Sequence, residues 1–400
     1  MLTKNNIKTY YIYSIFKNAL LVGPIIVLYL LAKGLSMTEI MILQSIFSFS
    51  IFLLEVPTGA IADRFGRKYS LSLGAIFSAI AILIYIFGNS IYIYMVAEII
   101  FSMGFCFKSG ADSALLYDSL LELNREIEFK LIFGKGQSIV YIVQAIGSVA
   151  ASFLYVKNHN LPFIISFVLM LFAASTALIF KEVTIKPLKN IKGKNEKYFE
   201  LIKTSFQYII KNSKIKGIAL FAIIFYMFYR TSFWFYTPFF KAVAIPEYLY
   251  GSLFFVFNIV AAIASRNVDF FMKISKPKTM VIINLLLITS FIGLGLFKTP
   301  FAVIFILFQQ ITRGVYHPVL NKYINKNIES HNRATILSFI SLVTNLVVAL
   351  AMPLSGLMLD HTNVFTSHLI YGVLLLLLTI FLNYYLKGKA TISKREKFSS

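Results

Sequence analysis

Seven charged side chains interrupt long apolar stretches of this 400-residue chain, and residues of these types in such places can do chemistry. A charge near the centre of a bilayer costs from about 2.5 to more than 10 kcal/mol, so it persists where it meets water, a partner or a function. Acids there are candidates for proton transfer, and cations are candidates for binding anionic groups. The seven residues are Lys17, Glu55, Glu98, Lys108, Asp112, Arg230 and Arg313.

Three acids, Glu55, Glu98 and Asp112, are the candidates for proton coupling. On one continuous helix, Glu98 and Asp112 would lie within roughly 40° of each other and form a polar face. Lys108 precedes Asp112 by one helical turn, and a local ion pair between these two is the alternative to a functional role for them. For Glu55 the alternative is a hydrogen-bonded carboxyl that stabilises an interface between helices.

The cations and the aromatic residues near them are the candidates for substrate binding. Arg230 stays protonated, so it is suited to anchor an anionic group or to act as counter-charge for Glu55 or Glu98. Aromatic walls suit flat, lipophilic molecules, although an aromatic belt at the outer membrane interface also explains residues 234–240. The candidates are Lys17, Asn18, Tyr226, Arg230, Trp234 and Arg313.

The composition is that of a membrane protein, with 58% hydrophobic residues, 14% charged residues and a mean hydropathy of +0.76. Soluble domains carry about a quarter charged residues. The single cysteine, Cys106, excludes a disulfide framework. The histidines show no metal-ligand spacing on one helix, and no Gly-x4-Gly-Lys-Ser/Thr phosphate loop occurs. We therefore expect neither an enzyme nor a primary pump, and no metal or cofactor.

Helices must supply the membrane crossings, because no ten-residue segments alternate in the manner of transmembrane strands. A helix needs about 20 apolar residues to cross the hydrocarbon. Such runs predict an all-α membrane protein with twelve transmembrane helices. They cover residues 9–31, 37–62, 70–88, 91–117, 136–156, 161–181, 215–240, 248–272, 279–297, 300–321, 334–358 and 364–386.

The distribution of positive charge predicts the orientation. When residues near helix ends are counted with the adjoining loop, 30 of the 38 Lys and Arg residues fall on one side of the predicted helices, four on the other and four within them. This asymmetry places both termini and the long loop 182–214 in the cytoplasm, with the chain in a bacterial-type plasma membrane. The net charge of +21 is therefore explained by topology, and we expect no nucleic-acid partner. The first helix has no cleavage pattern and is expected to be retained.

The long basic loop divides the twelve predicted helices six and six. We expect an N-terminal six-helix bundle at 1–185, a cytoplasmic linker at 186–214 and a C-terminal six-helix bundle at 215–400. Apolar residues at helical spacing predict an amphipathic helix in the linker, with a simple tether as the alternative. The protein is expected to be a monomer.

A motif after the second helix connects the chain to a known family. It is Glu55-Val-Pro57-Thr-Gly59-Ala-Ile-Ala-Asp63-Arg64-Phe-Gly66-Arg67-Lys68. We expect Gly59 to permit close helix approach and Gly66 to permit a tight turn. Asp63 can face the N-terminal end of a neighbouring helix. The stretch resembles the signature loop between helices two and three of the major facilitator superfamily.

This resemblance implies two related six-helix halves that work by alternating access. It also implies a conformational latch of Gly59, Asp63, Gly66, Arg67, Lys68 and Asp118, in which the charges form a cytoplasmic cluster. The alternative is that these charges only fix topology and helix ends. In facilitator folds helices one, four, seven and ten line the path, and the intramembrane charges fall on these helices and on helix two.

The second half carries a degraded echo of the first. Between helices eight and nine, residues 264–273 keep an acid, Asp269, and a following base, Lys273, but lose the glycines. The end of helix four at Ser109-Gly110 corresponds to the end of helix ten at Arg313-Gly314, with the glycines aligned. Parallel repeats about an axis along the membrane normal leave such a pattern. His317, directly before Pro318, is expected to stand at a helix end.

The Glu-x-Pro form of the signature resembles a branch of tetracycline and multidrug exporters. It implies proton-coupled efflux of lipophilic, drug-like molecules, with a small-molecule substrate, protons and the bilayer as partners and the proton gradient as driving force. One departure favours an alternative: helix five has no proline, whereas drug antiporters carry a Gly-Pro motif there. The alternative is uptake or export of a small metabolite such as a sugar by symport or uniport. A more remote alternative is a non-transporting receptor or a lipid-handling protein.

Overall fold

The computed structural model describes residues 4–182, 206–210, 212–275, 278–328 and 330–396. Within these ranges all regular structure is helical. The amphipathic helix predicted for the linker 186–214 lies largely outside the described residues. Residues 206–210 of this linker are described, and they are helical.

Eight helices cover the first part of the chain. They are α1 (Lys4–Asn18), α2 (Ile26–Ala32), α3 (Met37–Phe65), α4 (Arg67–Phe87), α5 (Ile91–Lys108), α6 (Ala111–Glu122), α7 (Phe129–Lys157) and α8 (Leu161–Ile179). A capping box begins α3, because the Ser36 hydroxyl accepts the Glu39 N–H at 3.2 Å and the Glu39 carboxylate accepts the Ser36 N–H at 2.8 Å.

Eight further helices follow residue 212 in the described part of the chain. They are α9 (Ser213–Ser232), α10 (Tyr236–Ala242), α11 (Tyr250–Arg266), α12 (Val268–Ile274), α13 (Thr279–Leu296), α14 (Ile304–Asn327), α15 (Ser330–His361) and α16 (Val364–Glu396). Short 3-10 turns precede α10, α11 and α14.

The chain divides into two compact units. Unit 1 comprises Met1–Pro187 with Pro246–Val256, and unit 2 comprises Leu188–Ile245 with Phe257–Ser400. In unit 1 the helix α4 packs closely on α5. A Cβ atom at Gly74 would lie 2.8 Å from the Gly104 carbonyl oxygen, and one at Gly104 would lie 2.7 Å from the Gly74 carbonyl oxygen. Only glycine permits this approach of two backbones.

Residues 246–256 join unit 1 through a second close contact. The Ser152 hydroxyl accepts the Gly251 N–H at 2.6 Å, and the Ser148 hydroxyl donates to the Gly251 carbonyl at 3.1 Å. A Cβ atom on Gly251 would clash with the Ser148 carbonyl oxygen. Small residues of α7 therefore permit this close approach.

Ten helices in the described part of the chain are long and apolar enough to cross a membrane. Two of the twelve predicted crossings do not qualify, namely 9–31 and 300–321. The first is divided, because α1 ends at Asn18, α2 begins at Ile26, and Gly23 and Pro24 lie between them. The second belongs to the continuous helix α14, whose Arg313 and later lysines lower its hydropathy.

Two expectations about helix continuity are wrong. Predicted helix four ends at Lys108 and resumes at Ala111, because Gly110 adopts a left-handed conformation with φ 71°. Glu98 and Asp112 therefore do not share one continuous helix face. His317 does not stand at a helix end either, because Pro318 lies inside α14, which continues to Asn327.

Candidate functional site

A partly buried ion pair joins the first and fourth predicted crossings in unit 1. Lys17 is the second-last residue of α1, and Asp112 lies in the first turn of α6. Their Nζ and Oδ2 atoms are 2.5 Å apart, with side chains 19% and 15% exposed. The ammonium also lies 5.6 Å from the Tyr13 ring centroid. A proton-coupling candidate and a substrate-binding candidate thus neutralise each other.

Lys108 is not the ion-pair partner of Asp112. Its Nζ atom donates to the Ser78 hydroxyl at 2.7 Å, while it remains within electrostatic range of Lys17 and Asp112. The predicted local pair is wrong because the helix ends at Lys108, and the turn at Gly110 removes the one-turn spacing on which that pair depended.

Glu98 is held by polar side chains that the sequence analysis did not single out. Gln44 Nε2 donates to Glu98 Oε1 at 2.8 Å, and the Tyr85 hydroxyl donates to the same oxygen at 2.5 Å. The carboxyl is 5% exposed. The only available signal was the presence of polar residues in apolar stretches, which does not show whether they meet.

Glu55 lies at the end of the apolar part of α3, which covers Met37–Glu55. Its side chain is exposed, and it makes no hydrogen bond or ion pair with the part of the chain that the structure describes. It lies within electrostatic range of the buried thiol of Cys106. The close helix approach expected at Gly59 is not found among the described residues, none of which lies within 4 Å of a Cβ atom placed there, and its part in the latch stays a prediction.

Arg67 of the signature loop forms an ion pair with Asp118 of α6. Gly66 forms the turn between α3 and α4 with φ 100°, a conformation that favours glycine. The Lys68 ammonium lies 4.9 Å from the Tyr69 ring centroid. The side chain of Asp63 lies outside the described residues, so its predicted place in the latch stays a prediction.

Glu182, at the start of the long loop, is a member of this cluster that sequence reasoning missed. Its two carboxylate oxygens accept the backbone N–H groups of Arg67 at 2.6 Å and Lys68 at 3.0 Å. These are orphan donors at the first turn of α4, where a negative charge is favourable. Nearby, the Asn6 amide donates to the Lys181 carbonyl at 2.9 Å and accepts the Lys181 N–H at 2.9 Å.

In unit 2 the guanidinium of Arg313 contacts amide oxygens. Its Nη1 atom donates to Asn258 Oδ1 at 3.1 Å and to Gln310 Oε1 at 3.3 Å. Gln310 Nε2 in turn donates to the Tyr236 hydroxyl at 3.0 Å, and that hydroxyl donates to Gln309 Oε1 at 2.6 Å. Sequence reasoning missed this amide network, because no sequence motif indicates that two adjacent glutamines in an apolar helix will form one.

Aromatic rings accompany the two arginines of unit 2. The Tyr226 ring lies 6.0 Å from Tyr229 and 6.2 Å from His317 between centroids. Tyr229 lies within electrostatic range of both Arg230 and Arg313. His317 is exposed, and four other side chains are partly exposed, namely those of Tyr226, Tyr229, Arg230 and Arg313.

Two other substrate-binding candidates lie in less open settings. Trp234 is buried at 4% exposure, and its Nε1 atom has no hydrogen-bond partner among the described residues. Asn18 uses its Nδ2 atom to donate to the Ser14 carbonyl of its own helix at 2.9 Å.

The second-half echo contains an ion pair of its own. Lys322 Nζ lies 2.9 Å from Asp269 Oδ1, with side chains 59% and 78% exposed. The hydrogen bond from Lys322 lowers the pKa of the Asp269 carboxyl.

Comparison with known proteins decides the family. The model of the Major Facilitator Superfamily matches residues 11–300 and 244–399. The chain belongs to the major facilitator superfamily. A relative in Bacillus subtilis (strain 168), described as the uncharacterized MFS-type transporter YxaM, is 23% identical over 326 residues, which cover 79% of each chain.

Solved structures of other superfamily transporters share the fold. The nucleoside transporter NupG superposes with a TM-score of 0.77 at 14% identity, over 96% of this chain and 98% of its own. A bacterial homologue of the human lysosomal transporter Spinster gives 0.74 at 14% identity, over 98% of each chain. The D-xylose-proton symporter gives 0.69 at 14% identity, over 95% and 96%.

Membership in the superfamily confirms the resemblance carried by the signature loop. This member of the superfamily is a multi-pass membrane transporter with a small-molecule substrate, and it is not an enzyme. Its placement in the tetracycline and multidrug branch stays a prediction.

Proposed function

We propose that this chain is a secondary active transporter that moves a small organic solute by alternating access and is coupled to protons. The proposal includes twelve crossings in two bundles at 1–185 and 215–400, a cytoplasmic linker at 186–214, cytoplasmic termini, a monomeric state and a bacterial-type plasma membrane.

The observation that carries it is the ion pair of Lys17 with Asp112, because a carboxylate held only by a salt bridge and local hydrogen bonds inside a membrane protein can exchange its partner for a proton.

Proton coupling has three candidate acids in different settings. Asp112 is paired with a cation, Glu98 accepts two hydrogen bonds from neutral donors, and Glu55 is exposed at the end of an apolar stretch. These three settings give a proton-coupled carrier separate candidate positions at which a proton is taken up and released as access alternates.

Efflux of lipophilic, drug-like molecules is the first candidate for direction and substrate. It is supported by the acid of the signature, Glu55, two residues before Pro57, and by the aromatic side chains around Arg230 on α9. A second candidate is uptake or export of a small metabolite by symport or uniport. It is supported by helix α7, which lacks proline, and by the structural neighbours, which are named as nucleoside, D-xylose and peptide transporters.

Reconstitution into liposomes that contain a pH-sensitive dye tests the proposal. Candidate solutes, beginning with tetracyclines, lipophilic cations, nucleosides and pentoses, are added outside, and internal pH and solute counterflow are followed. Antiport makes the interior alkaline as solute enters, symport makes it acidic, and uniport leaves the pH unchanged. The sign of the pH change therefore separates the two candidates whatever the orientation of the protein in the vesicle.

The acids are tested by the variants Glu55→Gln, Glu98→Gln and Asp112→Asn. We expect at least one of them to retain counterflow and lose proton movement. Glu122→Gln is the matched control, since Glu122 is an exposed acid at the end of α6. Proton movement that survives in all three variants would exclude these acids as carriers, and the absence of counterflow for every solute would argue for a receptor or lipid-handling protein.

A further inference from the structure

Each unit has a cation just before the end of its first helix. Lys17 is one residue before the end of α1, and Arg230 is two residues before the end of α9. In unit 1 that cation is neutralised, because Asp112 lies two residues after Gly110 and pairs with Lys17.

Unit 2 lacks the corresponding acid. Alignment of Gly110 with Gly314 places Tyr316 where unit 1 has Asp112. The Tyr316 hydroxyl donates to the Ala222 carbonyl at 3.0 Å, so it is engaged with the backbone of α9. A tyrosine supplies no negative charge, so the position that pairs with Lys17 in unit 1 offers Arg230 no acid in unit 2.

No ion pair between Arg230 and an acid of the second half is found in the described part of the chain. Five acidic residues follow residue 212, and none lies within α9 or within α14. Asp269 pairs with Lys322, Glu247 belongs to unit 1, and Asp360 lies in the last turn of α15. Glu329 and the side chain of Glu396 lie outside the described residues.

Arg313 adds a second cation on α14. Both hydrogen bonds that it donates in the described part of the chain come from Nη1 and end on amide oxygens of Asn258 and Gln310. Amide oxygens orient a guanidinium without neutralising it, and a guanidinium has further N–H donors that suit bidentate binding of a carboxylate or phosphate. The side chain is partly exposed, as is that of Arg230.

Aromatic rings define what else the ligand presents. Tyr226, Tyr229 and His317 accompany the two arginines on the same pair of helices, with ring centroids about 6 Å apart. Such rings favour a flat aromatic body by stacking.

We propose that Arg230 and Arg313 of unit 2 bind the anionic group of an aromatic organic acid, and that Tyr226, Tyr229 and His317 bind its ring. The ligand supplies in unit 2 the negative charge that Asp112 supplies in unit 1. This inference rests on the proposed transport function and names its substrate class: a carboxylate or phosphate on an aromatic body.

Binding is measured on the purified full-length protein by the fluorescence of Trp234, its single tryptophan, one helical turn beyond Arg230. The probes are phenylacetate, benzoate and phenyl phosphate. Phenylacetamide and benzamide serve as neutral isosteres. Phenylacetate and benzoate, where they bind, are each expected to bind at least about tenfold more tightly than the corresponding amide, because a charge-assisted hydrogen bond contributes about 1.5–3 kcal/mol. Failure of all three anions to bind, or equal affinity for anion and amide, would overturn the proposal.

The arginines are tested by Arg313→Gln and Arg230→Gln, with Arg313→Lys and Arg230→Lys to retain the charge. Each glutamine variant is expected to weaken anion binding roughly ten- to hundredfold, and each lysine variant less. Arg266→Gln is the matched control, since Arg266 is exposed at the end of α11. Thermal unfolding of every variant, monitored by labelling of Cys106, distinguishes lost binding from lost folding. An equal loss in the Arg266→Gln protein would contradict the assignment.

Vesicle counterflow separates this inference from the proposed function. Arginine-dependent binding of an aromatic anion without counterflow of any solute would remove the transport proposal and leave the binding site. Counterflow of a neutral or cationic solute that is unaffected by Arg313→Gln and Arg230→Gln would leave the transport proposal and overturn the binding site.

Discussion

Lys322 stands in unit 2 where Asp118 stands in unit 1, eight residues after the aligned glycines Gly314 and Gly110. Asp118 pairs with Arg67, and Lys322 pairs with Asp269. Asp269 is the acid of the second-half echo and corresponds to Asp63, not to Arg67. Each unit therefore uses the eighth residue after its aligned glycine for an ion pair to the signature or its echo, but the charge at that position and the partner both differ.

The two ion pairs differ in burial, and we expect them to differ in stability. Asp118→Asn should lower the free energy of unfolding by roughly 1–3 kcal/mol, because the Asp118 side chain is 11% exposed. Asp269→Asn should change it by less than about 1 kcal/mol, because its side chain is 78% exposed. Thermal unfolding followed by both Cys106 labelling and Trp234 fluorescence measures the difference. Equal effects of the two variants would refute the argument from burial.

Removal of the Glu182 carboxylate should loosen the start of α4. Glu182→Ala leaves the N–H groups of Arg67 and Lys68 without this acceptor, and loss of a helix cap costs about 1 kcal/mol. We expect a lower unfolding midpoint by Cys106 labelling. The control is Glu122→Ala at an exposed helix end. A midpoint unchanged relative to that control would show that water replaces the cap at no cost.

A methyl group on Gly251 should be strongly unfavourable. The added Cβ atom would overlap the Ser148 carbonyl oxygen, and relief of such overpacking typically costs about 1–3 kcal/mol. Gly134→Ala, in the same helix as Ser148, is the control, because nothing lies within 4 Å of its Cβ position and alanine favours the helix. We expect the Gly251→Ala protein to unfold at lower temperature and Gly134→Ala to match or exceed the wild type. The reverse order would mean that the contact is loose.

Substitutions of Glu98 test whether its hydrogen-bonding oxygen or its negative charge stabilises the protein. Both Gln44 and Tyr85 donate to one oxygen, Oε1, and a glutamine side chain retains such an oxygen. Glu98→Gln should therefore keep most of the stability, whereas Glu98→Leu should cost about 1–3 kcal/mol for two unsatisfied buried donors. Unfolding midpoints of the two variants give the comparison. Equal losses would mean that the negative charge itself stabilises the site.

The ion pair between Lys17 and Asp112 should show strong coupling in a double-mutant cycle. Lys17→Met and Asp112→Asn each leave one partly buried charge without its partner, and each should lower the free energy of unfolding by about 2 kcal/mol or more. The double variant leaves neither charge and should cost less than the sum. Additive effects would show that the two charges are already solvated independently.

Much of the fold could be predicted from the sequence, because burial in lipid demands long apolar helices. The signature at Glu55–Lys68 also predicted the family correctly, since its spacing is set by a turn that only Gly66 makes easily. The breaks at residues 19–25 and 109–110 were not predicted, because apolar composition continues through them. What ends these helices is local backbone conformation, as at Gly110 with φ 71°.

The candidate site was predictable in residue types but not in partners. Charged residues in apolar stretches identified Lys17 and Asp112 separately, yet their pairing depends on how α1 packs against α6. Glu182 escaped notice because a single acid at the start of a basic loop has no periodic pattern. Gln309 and Gln310 were not predicted as site residues, because the search looked for charged residues in apolar stretches and a glutamine amide is uncharged.

The short helix α6 carries both Asp112 and Asp118, and this has a thermodynamic consequence. Six residues of helix rise about 9 Å, so one rigid segment holds the Lys17 pair at one end and the Arg67 pair towards the other. A ligand or proton that shifts the first pair by displacing this segment must change the second, and linkage makes the effect reciprocal and equal in free energy. The signature loop and Asp112 therefore act on one equilibrium through α6, and non-additivity between Lys17→Met and Arg67→Gln would report the size of this coupling.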